Sequence, residues 1–191
     1  MNRLAVFGYG SLVSRESAAR TLGPDAGSPV PATLHGWRRG FNQARRNREV
    51  EKTFARVDTG EVPEWILGLG VAPDPDRWIN GVLIELDPAA AERLDLREIR
   101  YERVDVTGSL DPSPGGLEVF TYQPLPENHA PDPPPGAVML RSYNTTVEAA
   151  FDELAPGELE RYRVSTDIPA VEVVDGRLVR DEIPPGNPRE W

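Results

Sequence analysis

Hydrophobic residues run through this chain in short bursts separated by glycine and proline, a spacing that predicts strands more often than helices. The first burst, residues 4–7, reads as a short buried strand. It breaks at Gly8 and Gly10 and gives way to a helical pattern over about 14–22, which Gly23 and Pro24 end. A Gly/Pro/Ser connection over 25–31 leads to strands at 32–37 (continued by 39–41), 54–57, 65–71 and 81–86. The 65–71 run is apolar on both faces and therefore belongs near the centre of a sheet. Pro88 suits the first turn of a helix over about 89–97. Residues 101–106 and 117–122 alternate well enough for two further strands.

The segment 124–136 holds six prolines, so it is neither a helix nor an interior strand. It is expected as a long surface loop, either inert or a stiff flap over a pocket. A helix follows over 142–154, with Val147, Ala150, Phe151 and Leu154 on its apolar stripe. Residues 170–180 read as a hairpin turning at Asp175-Gly176, and 183–191 as a proline-rich tail. No internal repeat is visible. Six or seven strands with only short helices between them predict an α+β fold. Its core would be a small mixed, mostly antiparallel barrel or strongly curved sheet. A chain of 191 residues fits one domain with a real core, here residues 1–191.

Composition narrows the chemistry. There is no cysteine, which removes disulfides, thiolate metal sites and a cysteine nucleophile together. His35 and His129 lie far apart and match no metal-ligand spacing. The formal net charge of -10 argues against a broad surface for nucleic acid. The first apolar run is too short for a signal peptide core, and no stretch approaches a membrane span. The expectation is a soluble cytoplasmic protein; its oligomeric state is not legible. Arg38, Arg39, Arg45, Arg46 and Arg48, interleaved with Trp37 and Phe41, form the one basic cluster. It could bind an anionic part of a substrate or a nucleic acid, but in so acidic a chain it reads as a solvated strand edge and loop. Trp65 and Trp78 read as core or rim packing.

Two places could carry a reaction. Strand, glycine-bearing turn and helix start, over residues 6–12, form a layout that aims backbone N–H groups at one point, where they can bind an anion or a carbonyl oxygen. Glycine suits such a turn because it reaches positive φ and lets a ligand approach the backbone. The alternative is a plain tight turn with a buried tyrosine. Val13 stands where a dinucleotide fingerprint needs its third glycine, and Tyr9 stands where a nucleophile elbow needs glycine. The second place is Glu98. Ala91, Leu94 and Glu98 share a face if the helix runs that far, while Arg97 and Arg100 point elsewhere at helical spacing. A buried, poorly paired carboxylate would have a raised pKa, the condition for proton transfer near neutrality. The alternative is a helix that ends at Leu96 and a solvated Glu98. Tyr143, at a helix start, and Tyr101 are weaker candidates, equally readable as core residues.

At these residues the chain resembles the gamma-glutamylcyclotransferase-like family. Val6-Phe7-Gly8-Tyr9-Gly10-Ser11-Leu12 is similar to its signature turn. Leu94-Asp95-Leu96-Arg97-Glu98, followed by Tyr101-Glu102-Arg103-Val104, is similar to its second signature, whose glutamate is the acid/base. The segments 32–41 and 81–86 resemble the strands between them, in the same order, and 142–146 resembles a tyrosine-bearing helix start of bacterial members. Many members carry asparagine after the turn serine, where this chain has Leu12, as in the glutathione-specific branch. The resemblance implies a cofactor-independent enzyme that cyclises a γ-glutamyl amine or peptide to 5-oxoproline. Glu98 would be its acid/base, with Tyr9, Gly10, Ser11, Leu12 and Tyr143 around the substrate. A binding module of the same fold, without catalysis, is the alternative. The amine released (a free amino acid, a cysteinyl peptide, a polyamine or an isopeptide lysine) is left open.

Overall fold

The computed structural model describes residues 3–23, 27–49, 51–183 and 187; most of the expected tail and part of the 25–31 connection lie outside them. The chain opens with β1 (Arg3–Gly8), leaves the sheet through one 3-10 turn (Ser11–Val13) and enters α1 (Arg15–Leu22). Ser14 caps that helix, its hydroxyl accepting from Ser17 N–H at 3.3 Å. Then come β2 (Val30–Arg46), β3 (Lys52–Arg56) and β4 (Trp65–Leu86). Asp87 caps α2 (Pro88–Arg97), with Pro88 in its first turn as expected. After it follow β5 (Tyr101–Asp105), β6 (Leu110–Asp111), β7 (Leu117–Pro124) and β8 (Val138–Leu140). The chain ends with α3 (Arg141–Leu154), α4 (Glu158–Val164), β9 (Thr166–Asp167), β10 (Glu172–Val174) and β11 (Gly176–Asp181).

The main sheet runs β10-β8-β4-β1-β7-β5, with β2 lying along β4 and also pairing β6 and β9. It is mixed and mostly antiparallel, packed with four helices, and its ladders among the described residues follow an open path. Most of the antiparallel pairing lies between β2 and β4, which run together from Val30 opposite Leu83 to Arg46 opposite Trp65. A straight 22-residue strand would extend about 70 Å, far beyond the width of so short a chain, so this ribbon has to bend. It slips register twice, between His35 and Trp37 and between Gly40 and Gln43. The first slip leaves residues 74–77 out of the ladder, with Pro75 and Asp76 exposed to solvent and Pro73 still opposite Trp37. Sequence pattern splits β4 into two strands because these prolines look like a break; the backbone passes through them at the bulge instead.

Strand direction sets the meeting of the two signature segments. β1 and β7 are parallel, with Val6 opposite Phe120, while β5 and β7 are antiparallel, with Tyr101 opposite Pro124. The end of β1 and the start of β5 therefore lie at the same end of the sheet, one strand apart. The residues just outside those ends are the glycine turn and Glu98.

Three expectations need correction. The segment 170–180 is no hairpin: β10 adds to β8 in the main sheet, whereas β11 crosses to pair β3 in a separate two-stranded sheet. The proline-rich segment 124–136 is no flap, because Ala130 N–H donates to Asn42 O (2.7 Å) and Ala44 N–H to Asn128 O (2.8 Å), which fastens it along β2. Arg39 does not belong to a solvated edge. It is fully buried, donating to the carbonyls of Tyr9 (3.1 Å) and Asn80 (2.7 Å) and to the hydroxyls of Thr166 (2.8 Å) and Ser165 (3.0 Å). Its guanidinium lies over the rings of Tyr162 and Phe151, which stack on each other between α4 and α3. Arg46 keeps the expected character, exposed and paired with Glu49 and Glu64. No helix of the described residues is long and apolar enough to cross a membrane.

Arg39→Met would leave at least two buried acceptors without a donor, each costing about 1–3 kcal/mol. Urea unfolding should therefore show a loss of roughly 3 kcal/mol or more. A loss within about 0.5 kcal/mol would mean that water replaces the guanidinium and that the network does not hold the core.

Candidate active site

Gly8 and Gly10 shape the turn through close approach rather than through positive φ. Gly10 has φ -136° and Gly8 is not among the positive-φ glycines, which corrects the expectation of left-handed residues here. A Cβ on Gly8 would come within 2.9 Å of Leu12 Cβ, and one on Gly10 within 3.4 Å of the Tyr143 hydroxyl. The turn is thus pressed against its own continuation on one side and against α3 on the other. Val13 N–H closes the 3-10 turn on Gly10 O at 3.0 Å. The amides at the head of such a turn have no acceptor inside it.

Glu98 is neither inside α2 nor in bulk solvent. The helix ends at Arg97, and Glu98 caps it with φ -93° and ψ 44°, its N–H still donating to Leu94 O at 2.8 Å. Ala91 and Leu94 are buried beneath it, and its side chain keeps only 15% exposure. The neighbouring Arg97 does not point away. Leaving helical geometry at Glu98 lets adjacent side chains converge, and Arg97 Nε lies 3.1 Å from Glu98 Oε1. The carboxylate is paired, so the premise of an unpartnered acid is corrected. The same guanidinium donates to Ser11 Oγ (2.6 Å), Ser17 Oγ (3.1 Å) and Thr21 Oγ1 (2.7 Å). Arg97 therefore ties the acid to the turn and to α1. Periodicity missed it; its place beside the acid was the available clue.

Between turn and acid lies a chamber of about 50 Å³, lined by Gly8 to Leu12 on one side and by Leu69, Glu98, Tyr101, Tyr122 and Tyr143 on the other. Every site residue named from the sequence, namely Glu98, Tyr9, Gly10, Ser11, Leu12 and Tyr143, faces it. Several of its hydroxyls are already engaged. Tyr9 donates to Tyr122 O at 2.7 Å, Tyr101 to Leu69 O at 2.8 Å and Tyr122 to Asp95 Oδ1 at 2.8 Å. Tyr143 stands edge-on to Phe41. A larger cavity of about 460 Å³ adjoins, sharing Ser11, Glu98, Tyr101 and Tyr143 with the chamber. Burial, and after it the charge of neighbouring groups including Glu98, holds the phenols of Tyr9 and Tyr143 well above their ordinary pKa. Tyr122 is raised too, by burial first and then by Asp95.

A mixed sheet that delivers a glycine turn and a shielded glutamate to one chamber is the frame of a cyclotransferase-like protein. The gamma-glutamyl cyclotransferase, AIG2-like family model matches residues 6–143, and the chain belongs to that family. No curated protein matches the chain in sequence. An uncharacterised human protein, loc79017, has a similar structure, with a TM-score of 0.59, 15% identity and coverage of 89% of this chain and 91% of that one. A structure described as gamma-glutamyl cyclotransferase matches at 0.56 and 16% identity, covering 88% of this chain and 90% of that one. A yeast cyclotransferase specific to glutathione matches at 0.53 and 16% identity, covering 87% and 98%. At these identities the likeness concerns the fold.

The raised phenols give a pH prediction. In the unfolded chain tyrosine ionises near 10, whereas Tyr9, Tyr122, Tyr143 and Tyr162 (pushed up to about 12, chiefly by burial) hold their protons longer in the folded one. Above about pH 10 the unfolded state binds fewer protons than the native state, so the stability these groups contribute is complete below that pH and falls as pH rises. At about pH 10.5 the near-ultraviolet phenolate signal of the folded protein should account for at most about one of its five tyrosines. Ionisation of three or more while the fold persists would mean that the chamber is open to water.

Proposed function

We propose that the protein is a cytoplasmic cyclotransferase that converts a γ-glutamyl amine or γ-glutamyl peptide to 5-oxoproline and the free amine. One observation carries this reading: Glu98, the only carboxylate among the described residues that line the chamber, is mostly shielded from water and faces the glycine turn across it.

The substrate's α-amine is mostly protonated near neutrality and has to lose a proton before it can attack. In this mechanism the Glu98 carboxylate accepts that proton. The amine nitrogen then bonds to the γ-carbonyl carbon and closes a five-membered ring. The carbonyl π pair moves onto oxygen, where amides of the turn at Gly10 to Leu12 stabilise the developing charge. Glu98 delivers its proton to the departing nitrogen, the original amide C–N bond breaks and the carbonyl re-forms; the carboxylate then relays the second proton of the ring nitrogen to the released amine, which leaves as an ammonium. Atoms and charges balance without a redox step or an added nucleophile, and binding supplies the ring-closing geometry. Arg97 fixes the orientation of the carboxylate and balances its charge, while Tyr9 and Tyr143, neutral at working pH, wall the reacting atoms. The γ-glutamyl end lies in the chamber and the amine to be released lies in the larger cavity.

Glu98→Gln should leave the fold intact by circular dichroism and lower kcat/KM for 5-oxoproline release by about 10²–10⁴. Near-normal turnover by that variant would remove Glu98 from the reaction. Binding of γ-glutamyl amides by the natural protein without any 5-oxoproline would instead favour the non-catalytic module.

A further inference from the structure

Glu98 is carried on a four-residue turn between α2 and β5. Tyr101 N–H closes that turn on Glu98 O at 2.9 Å, and Ile99 within it is exposed. Packing at the turn therefore does little to fix the direction in which the carboxylate points. Two arginines flank the acid, one residue before it and two residues after. Arg97 anchors it toward the glycine turn and α1. Arg100 anchors it to a different part of the molecule. Its Nη1 donates to Glu51 Oε1 at 3.0 Å and its Nη2 to Glu51 Oε2 at 2.6 Å, while its carbonyl accepts from Leu125 N–H at 2.9 Å.

Glu51 is a firm anchorage. It stands just ahead of β3, in the arm of residues 47–64 that joins β2 to β4. Asn47, fully buried, pins that arm. Its Nδ2 donates to Phe54 O (2.7 Å) and Pro63 O (2.9 Å), and its Oδ1 accepts from Phe54 N–H (2.8 Å). β11 runs along β3, where Lys52 pairs with Asp181 at 3.8 Å and Glu182 N–H donates to Glu51 O at 2.7 Å. The carboxylate that Arg100 grips thus belongs to backbone held by Asn47 and by β11.

The pair is almost enclosed, with 12% of the Arg100 side chain and 11% of the Glu51 side chain exposed. Enclosing two ions is a poor way to gain stability, because apolar residues of similar size often do as well. What a guanidinium fork on a carboxylate does supply is direction, since two parallel hydrogen bonds fix its plane. Both residues line the larger cavity, and neither is among the described residues that line the chamber. Resting on the cyclotransferase reading, we propose that Arg100 and Glu51 are positioning residues for the acid. They act through the turn that carries Glu98, seating its end against the β3 arm while Arg97 seats its start against α1. The carboxylate is aimed into the chamber because both ends of its turn are held.

The test is steady-state 5-oxoproline release by the full chain, on whichever of γ-glutamyl-alanine, glutathione and γ-glutamyl-putrescine it turns over fastest. Arg100→Met and Glu51→Gln should each lower kcat by about tenfold to a hundredfold with KM within about threefold, because a misaimed acid slows the reaction without weakening binding. Arg100→Lys, which keeps the charge but not the fork, should fall between Arg100→Met and the natural protein. Exchanging the partners, Glu51→Arg with Arg100→Glu, should restore most of kcat. In the paired variant Glu51→Met with Arg100→Met, the urea midpoint should stay near that of the natural protein while kcat stays low, which separates aim from stability. Where a methionine variant does not fold, Glu51→Gln, which keeps the shape of the side chain, decides by the same kcat and KM criteria. Unchanged kcat in the folded variants, or a change confined to KM, would overturn the positioning role while leaving the cyclotransferase reading standing. Absence of 5-oxoproline from the natural protein on all three substrates would overturn that reading, and the positioning role with it.

Discussion

The guanidinium of Arg97 joins three pieces of chain that local sequence does not hold together: the end of α2, the glycine turn and the first helix. Taking a guanidinium and a carboxylate out of water costs several kcal/mol for each ion, and the cost is recovered only when geometry satisfies nearly every donor. Here the planar fork divides its work. Nε faces Glu98, and the two terminal nitrogens reach the hydroxyls of Ser11, Ser17 and Thr21. A rotation of α1 or a shift of the turn would strand some of these donors in a poorly hydrated place. The acid and the turn therefore move together or not at all. A lysine could not substitute, because a single ammonium cannot present donors along two edges of a plane.

Behind the turn a second buried arginine completes the clamp. Arg39 holds the Tyr9 carbonyl from the core side while Arg97 holds the Ser11 hydroxyl from the other. Carbonyls, hydroxyls and two aromatic faces stand around Arg39 where a carboxylate would be expected, and Glu158 is linked to it through Asn80, whose amide donates to Glu158 Oε2 at 2.7 Å. Burial lowers the Arg39 pKa to about 10, the direction expected when dipoles rather than a counter-charge carry the compensation. This arrangement links α3 and α4 to β2, β4 and the turn, so packing around Phe151 and Tyr162 bears on the position of residues that meet Glu98.

How much of this could be read from sequence depended on range. Contiguous apolar bursts located β1, α1, α2, β5, β7 and α3 closely, and Asp87-Pro88 and Ser14 marked helix starts that the structure retains. Residues grouped by motif around the turn and Glu98 do meet in one chamber. What failed was whatever depends on a partner distant in sequence. Leu178 pairs with Phe54 rather than back across Asp175-Gly176, because register is chosen by the strand that offers a free edge, which no local pattern records. Arg39 looked like one of five similar arginines; only the fold, by bringing Asn80, Thr166 and Tyr162 around it, makes it a core residue. Arg97 was dismissed by helical spacing, and helical spacing stops applying one residue before Glu98.

For the proposed reaction, the position of Glu98 on the boundary of two cavities has a chemical consequence. In intramolecular aminolysis the attacking and the departing nitrogens are bonded, in the tetrahedral intermediate, to the same carbon, so one carboxylate can reach both without moving far. An acid sunk within the small chamber would meet the α-amine but lose the leaving nitrogen; one placed in the open cavity would do the reverse and would be wet. A helix ending at Arg97, with the acid as its cap, supplies the intermediate position, and the parallel pairing of β1 with β7 beside the antiparallel pairing of β5 brings the turn to meet it. Strand direction therefore decides whether the proposed site can form: reversing β5 against β7 would carry Glu98 to the opposite end of the sheet with every local motif unchanged.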